Sequence, residues 1–496
     1  MAAIAPSIER AAHGVTSTAV LDFLRKPKRM LVGGRWVAAK SGKTFETINP
    51  ANEEVLALVP EGDKADVDEA VKAARKAYEE GKWSKISPHQ RARYLLTIAD
   101  LIEKHADELA ILETLNNGMA ISLARGMASG AADTFRYYAG WATKIYGETN
   151  PSDPSTFNYT LREPVGVCGQ IIPWNGPIAM LAWKIAPSLA CGNVSILKPA
   201  EQTPLTALRI ELIMEADLPE GVVQIITGYG ETAGAAIAAH PDIDKVAFTG
   251  STEVGELILK ASTGNLKRVS LELGGKSPNV IFPDADLEEA VATSLFGFCM
   301  LSGQVCCAGT RVFVQNDFHD RFVDHLTRYA ANVKAGDPLD PKTTVGPLVS
   351  REQFDRVKGY LDVGKNEGAK TALGGEARTG KGFFVDPTIF TDVRNSMKIA
   401  REEIFGPVAA VIPFKDENDA VFQGNDTTYG LAAAAWTQDV SRAFRVARAL
   451  KAGTVWINCY KNIDPISPFG ATSSQESVAS WVSTLSTSIP KSNPFT

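Results

Sequence analysis

GVCGQIIP (166–173), NVSILKP (193–199), VVQIITG (222–228) and KVAFTG (245–250) recur through the middle of the chain as short apolar runs. Between them lie stretches of helical character such as PLTALRIELIMEA (204–216) and STEVGELILKAS (251–262). Strands this apolar suit a sheet buried on both faces, and strand–helix alternation argues for βαβ units and a parallel sheet. NVIF (279–282) and RVFV (311–314) continue the pattern, and VAAVIPF (408–414) with GTVWIN (453–458) marks a second α/β region. Upstream, DVDEAVKAARKAYEEG (66–81) reads as a helix. So does the longer pattern 87–118, with Ser87 as N-cap, Pro88 in the first turn and Gly118 at the stop.

The bulk properties narrow the function classes. A chain of 496 residues is too long for one ordinary core, so two or three domains are expected. The net charge of -6 comes from well-mixed acids and bases. No basic stripe points to nucleic acid or anionic lipid, and no apolar run is long enough for a membrane helix, which favours a small-molecule partner. The N-terminus lacks the layout of a secretory signal, so the cytoplasm is the expected location. Six cysteines, two of them adjacent at Cys306 and Cys307, have no zinc-type spacing and make neither a disulfide framework nor a metal site. That leaves a thiol available for chemistry.

Four segments carry candidate chemistry. FTGSTEVG (248–255) sets Gly250, Ser251 and Gly255 between a strand and a helix, where backbone N–H groups and the helix dipole can face a pyrophosphate; plain packing is the commoner use of such a junction. Gly228, Gly230 and Gly234 give GxGxxxG, one residue too long for the usual dinucleotide fingerprint, which leaves a Rossmann-like fold open. Cys306 lies in SGQVCCAGTR (302–311), where flanking small residues leave a thiol accessible, although a buried structural cysteine is the more frequent case. Glu272, in SLELGGKSP (270–278), is either a turn cap or an acid in an apolar setting, where a raised pKa would suit a general base.

Together these segments resemble the aldehyde dehydrogenase family. The resemblance runs from about Met30 to Gly470 through PWN (173–175), KPAEQTP (198–204), FTGSTEVG, LELGGKSP (271–278), GQVCCAGTR (303–311) and EEIFGPV (402–408), in order. It implies an α/β fold: a Rossmann-like NAD-binding domain over 21–147 and 165–273, a catalytic domain over 274–470, and an oligomerisation ribbon from 148–164 and 471–496. The implied chemistry is oxidation of an aldehyde to an acid through a thiohemiacetal and a thioester on Cys306. Asn175 and the Cys306 backbone N–H would form the oxyanion hole, and Glu272 would activate the hydrolytic water. Cys307 has no such match. On the cofactor side the resemblance implies Lys198 and Glu201 on the adenosine ribose, Ser251 with Gly250 and Gly255 near the pyrophosphate, Glu403 on the nicotinamide ribose, and Phe405 and Trp174 close to the nicotinamide. A carboxylate at 201 would repel a 2′-phosphate, so NAD is expected over NADP. No metal is implied, and the expected assembly is a homodimer or homotetramer.

The chain departs from the family at two places. Leu301 stands where the family usually has Asn, so a supporting hydrogen bond near the nucleophile is in doubt. The ending ATSSQESVASWVSTLSTSIPKSNPFT (471–496) is Ser/Thr-rich and without period. Restoring one nucleotide after the Gly470 codon lets the same DNA encode GGYKQSGVGRELGVDALDQYTEVKSVY, a typical family ending. A one-base deletion or sequencing error is therefore expected, with a poorly ordered tail, weakened oligomerisation and reduced stability, Pro490 and Pro494 lacking ladder donors. Two other readings remain beside the leading one: a CoA-acylating enzyme, against which Glu272 argues, and a non-catalytic member of the fold, to which the tail lends some weight. Gly130, Gly176, Met300 and Ile463 fall where the family commonly lines its substrate tunnel with bulkier or aromatic side chains. A wide tunnel, and an aryl or arylalkyl aldehyde rather than acetaldehyde, are expected.

Overall fold

Residues 7–210 and 216–471 are described by a computed structural model of the chain. The tail 472–496, with its expected disorder, and residues 211–215 of the PLTALRIELIMEA segment lie outside the described residues.

All eight apolar runs form strands, and they sort into two seven-stranded sheets. The first sheet runs, edge to edge, Arg268–Glu272, Lys245–Thr249, Val167–Ile171, Val194–Lys198, Val223–Ile225, Met30–Val32 and Arg35–Val37. Its first five strands are parallel and the last two antiparallel. Every residue of Val167–Ile171, Val194–Lys198 and Lys245–Thr249 is buried, as continuous apolar strands in a sheet covered on both faces must be. The second sheet runs Lys370–Leu373, Thr388–Thr391, Val408–Phe414, Arg311–Gln315, Pro278–Ile281, Ala432–Trp436 and Thr454–Ile457, parallel except at its first pair. A short antiparallel ribbon, Thr149–Asn150 with Asn158–Tyr159, stands apart from both.

Helix ends follow their caps. Asp63 and Asp66 form a capping box ahead of Lys64–Glu79, and Ser87 and Gln90 form one ahead of Pro88–Lys104. The pattern read as one helix over 87–118 is in fact two, Pro88–Lys104 and Ala106–Asn117. His105 breaks it at φ -107°, ψ 18°, with its ring 3.1 Å from Glu108, which also receives Arg209 at 2.8 Å. The apolar stripe resumes beyond the break, so periodicity alone does not reveal it. Gly118 ends the second helix at φ +87°, as expected.

Register places the candidate residues on one edge of the first sheet. Ile171 pairs with Lys198 and Phe248, and Thr249 with Glu272, so the segments after these strands emerge side by side at the carboxyl ends of parallel strands, where open α/β sheets bind ligands. Among the described residues, no helix is long and apolar enough to cross a membrane, and no group of His, Cys, Asp or Glu is placed to hold a metal.

Candidate active site

The nucleophile loop is built by backbone geometry that few residues tolerate. After helix Leu287–Cys299, three consecutive residues, Leu301 (φ 53°), Ser302 (φ 56°) and Gly303 (φ 74°), take the left-handed conformation. The Ser302 hydroxyl donates to Gly346 O at 2.8 Å. Gln304 then clamps the loop, donating to Leu301 O at 3.0 Å and accepting from Val349 N–H at 3.0 Å. The result leaves Cys306 half-buried while Cys307 is packed in the core at 1% exposure, its carbonyl accepting from the Tyr460 hydroxyl at 2.8 Å.

Leu301 is where the family pattern fails, and the geometry shows the cost. Asn adopts a left-handed backbone readily, whereas Leu pays about 1 kcal/mol or more. Burial of the Leu301 side chain in the core offsets that cost. At Gly303 no offset is available, because a Cβ there would lie 2.1 Å from Gly406 O. Gly303→Ala should therefore destabilise the protein by about 2–4 kcal/mol. Thermal denaturation checks this, and an unchanged Tm would contradict it. Gly275 makes another close approach to this loop, with its would-be Cβ 2.4 Å from Cys306 O.

Around the thiol the other candidates converge. Asn175 donates through Nδ2 to Gln304 O at 2.9 Å, tying the end of strand Val167–Ile171 to the nucleophile loop and leaving its second N–H free to point elsewhere. Trp174, whose carbonyl accepts from Asn117 at 2.7 Å, meets the Phe405 ring edge-on at 5.2 Å. Phe405 itself is left-handed at φ 60° and held by Gln353 through its carbonyl at 2.7 Å. Glu403 accepts from Gly275 N–H at 3.0 Å; burial pushes its carboxyl up to about 7, against the lowering effects of that N–H and of Lys276. Lys276 is itself pushed down to about 7 by burial. Glu272 is 5% exposed at the end of its strand, and neither carboxylate oxygen has a hydrogen-bond partner among the described residues. A buried unpaired carboxylate is costly to keep, which makes Glu272 a candidate for function. The Cys307 thiol bonded to it, then burial, then the Glu403 and Glu272 carboxylates hold the Cys306 thiol well above its ordinary range. A proton acceptor is therefore needed before this thiol can attack.

Lys198 and Glu201 lie farther along the same edge, with Nζ 2.9 Å from the carboxylate and the lysine only 2% exposed. Gly250 N–H donates to Glu272 O at 3.0 Å, which joins this cofactor side to the catalytic cluster. Ser251 caps helix Thr252–Ser262 by accepting from Val254 N–H at 3.3 Å. Gly255 has a demonstrable packing role, since a Cβ there would lie 2.8 Å from Leu273. On the opposite side, a Cβ at Gly130 would meet nothing within 4 Å, and one at Gly176 would only touch Met127 at 4.0 Å. Gly126, one turn before Gly130 on helix Ile121–Trp141, is equally open. Gln304 and Tyr460 act on partners up to 153 residues away and leave no local pattern.

Residues 36–475 match the aldehyde dehydrogenase family. An aldehyde dehydrogenase of Aspergillus niger is 52% identical, with 90% of each chain covered. The human mitochondrial aldehyde dehydrogenase is 51% identical over 89% of this chain and 86% of its own. A Bacillus cereus aldehyde dehydrogenase, solved as an NAD+ complex, superposes with a TM-score of 0.95 at 47% identity, covering 97% of this chain and 99% of that one. With a match across most of its length and relatives at about half identity, the chain belongs to the aldehyde dehydrogenase family.

Proposed function

We propose that the protein oxidises an aldehyde to a carboxylic acid with NAD, through a thioester on Cys306. The thiol proton passes to water, and the sulfur adds to the aldehyde carbonyl. The resulting alkoxide accepts hydrogen bonds from the free Asn175 N–H and the Cys306 backbone N–H. The observation that carries this reading is the Asn175–Gln304 bond at 2.9 Å, which holds an amide donor against the loop that carries Cys306 before any substrate arrives. After the aldehyde carbon has lost hydride, Glu272 takes a proton from water, whose oxygen adds to the thioester; the acid leaves and the thiol is regenerated.

The residues fit a dinucleotide. The buried Lys198 with Glu201, the unpartnered Thr249 hydroxyl and the N-terminus of helix Thr252–Ser262 offer ribose and phosphate contacts along one strand edge, and Glu403 with Phe405 lies toward Cys306. When bound, NAD supplies the hydride acceptor. NADH absorbance with a panel of aldehydes, with and without CoA, tests the whole reading. Turnover without CoA is expected, and a strict requirement for CoA would overturn hydrolysis by Glu272.

Glu201 sets the coenzyme preference in this account, because its carboxylate would face a 2′-phosphate. Glu201→Gln should weaken NAD binding and lower the NAD/NADP ratio of kcat/KM by roughly tenfold or more. An unchanged ratio would remove Glu201 from the ribose site. At Gly176, buried beside Asn175, an added Cβ would reach only Met127 at 4.0 Å, and this room supports a substrate bulkier than acetaldehyde, of aryl or arylalkyl type. Higher kcat/KM for acetaldehyde than for benzaldehyde and phenylacetaldehyde would rule that out.

The ribbon carries exposed Phe157 (63%) and, just beyond it, Leu161 (49%), which supports a homo-oligomeric contact there. The written tail is best explained by a one-base deletion, and the family match, which stops at residue 475, is in keeping with that. Resequencing checks the deletion. A restored chain should form a more stable oligomer on gel filtration; identical elution and activity for both versions would contradict this.

A further inference from the structure

Lys461 is a cation whose charge couples to both thiols of the Cys306–Cys307 loop, yet no step of the proposed reaction uses it. It follows strand Thr454–Ile457 in a left-handed backbone conformation (φ 57°). Two neighbours pin the segment: the Tyr460 hydroxyl donates to Cys307 O at 2.8 Å, and Trp456 Nε1 donates to Asn462 O at 3.1 Å. Between these anchors the Lys461 ammonium comes to 3.0 Å from the Met300 sulfur, at the residue that opens the turn toward Cys306. A thioether is a weak acceptor and leaves the charge essentially uncompensated. Among the described residues no carboxylate lies within ion-pair distance of Lys461. Asp464, the next acid along the chain, accepts from Ile466 N–H at 3.0 Å within its own loop. Burial accordingly presses the ammonium below its ordinary range, with Cys307 and Cys306 opposing the shift. A half-buried cation without an anion, near the Cys306 loop, is costly unless a ligand completes it.

We infer that Lys461 determines specificity by binding a carboxylate at the far end of the aldehyde substrate. This rests on the dehydrogenase reading above and names its substrate class: an aldehyde that also carries a carboxylate, with the room beside the buried Gly176 accommodating what links the two groups. A carboxylate matches the single charge of the ammonium, whereas a phosphate carries up to two. The contact would be a charge-assisted hydrogen bond in a partly dry setting, where such bonds discriminate strongly.

Matched substrate pairs test this: 5-oxopentanoate against pentanal, and 4-carboxybenzaldehyde against benzaldehyde, each with the full-length protein and NAD. The charged member of at least one pair should be preferred in kcat/KM by roughly tenfold or more. Lys461→Met should erase that preference chiefly by raising KM for the charged aldehyde, and Lys461→Arg should retain part of it. The arginine variant keeps the test meaningful if the methionine variant folds poorly. Equal or better use of the neutral aldehydes by the unaltered protein would overturn the inference and leave the dehydrogenase reading standing. So would a Lys461→Met variant that slows both members of a pair alike, since that would place Lys461 in thiol activation instead. Absence of NADH from every aldehyde would overturn both.

Discussion

Replacing Cys306 by Ala should abolish aldehyde-dependent NADH formation, by at least roughly 10⁴-fold, while leaving NAD binding nearly intact. The thiol acts on the aldehyde carbon, and the groups assigned to the dinucleotide stand on other strands and loops. Cys307→Ala is the internal control, because the two cysteines share one loop but not one environment. Cys306 retains some exposure, whereas Cys307 is 1% exposed and behaves as a small core side chain. Its truncation should cost about 1 kcal/mol of stability and only a modest part of the activity. Equal loss of activity from both substitutions would mean that the fragile element is the loop and not the thiol.

Glu272→Gln should lower steady-state turnover by roughly 10²–10³-fold while a stoichiometric burst of NADH survives, because the base is needed most for hydrolysis of the thioester. The substitution also has a pH signature. Cys306 is held high partly by the negative charge of Glu272, so in the unaltered protein the thiolate, and with it the burst rate, should rise toward alkaline pH. Removing that charge lowers the thiol pKa, so the alkaline rise of the burst should move to lower pH in the variant. A shift in the opposite direction, or loss of the burst itself, would assign Glu272 a different role.

Seven of the eight apolar runs were legible as strands because burial leaves a continuous hydrophobic signature, whereas the eighth, Thr454–Ile457, was read as buried but forms a partly buried edge strand. The antiparallel strands Met30–Val32 and Arg35–Val37 were not read, being three residues each and only partly buried. Likewise the helix break at His105 escaped a reading based on period, since its cause is a side-chain chain from His105 through Glu108 to Arg209. The nucleophile segment could be singled out by its small residues and paired cysteines. What holds it in shape could not, for the three left-handed residues include Leu301 and Ser302, which carry no local sign of that conformation. Lys461 belongs to the same class: its proximity to Met300 spans 161 positions, and its lack of an anionic partner is a property of the packed site alone.

The most direct measurement is mass spectrometry of the Glu272→Gln protein after mixing with NAD and a substrate aldehyde and quenching in acid. With hydrolysis slowed, the acyl group should accumulate on the peptide containing Cys306, in one-to-one ratio with the NADH formed, and Cys306→Ala in the same background should remove it. NADH formation without an acylated peptide, or an acyl group that fragmentation places on Cys307, would contradict the thioester mechanism at Cys306.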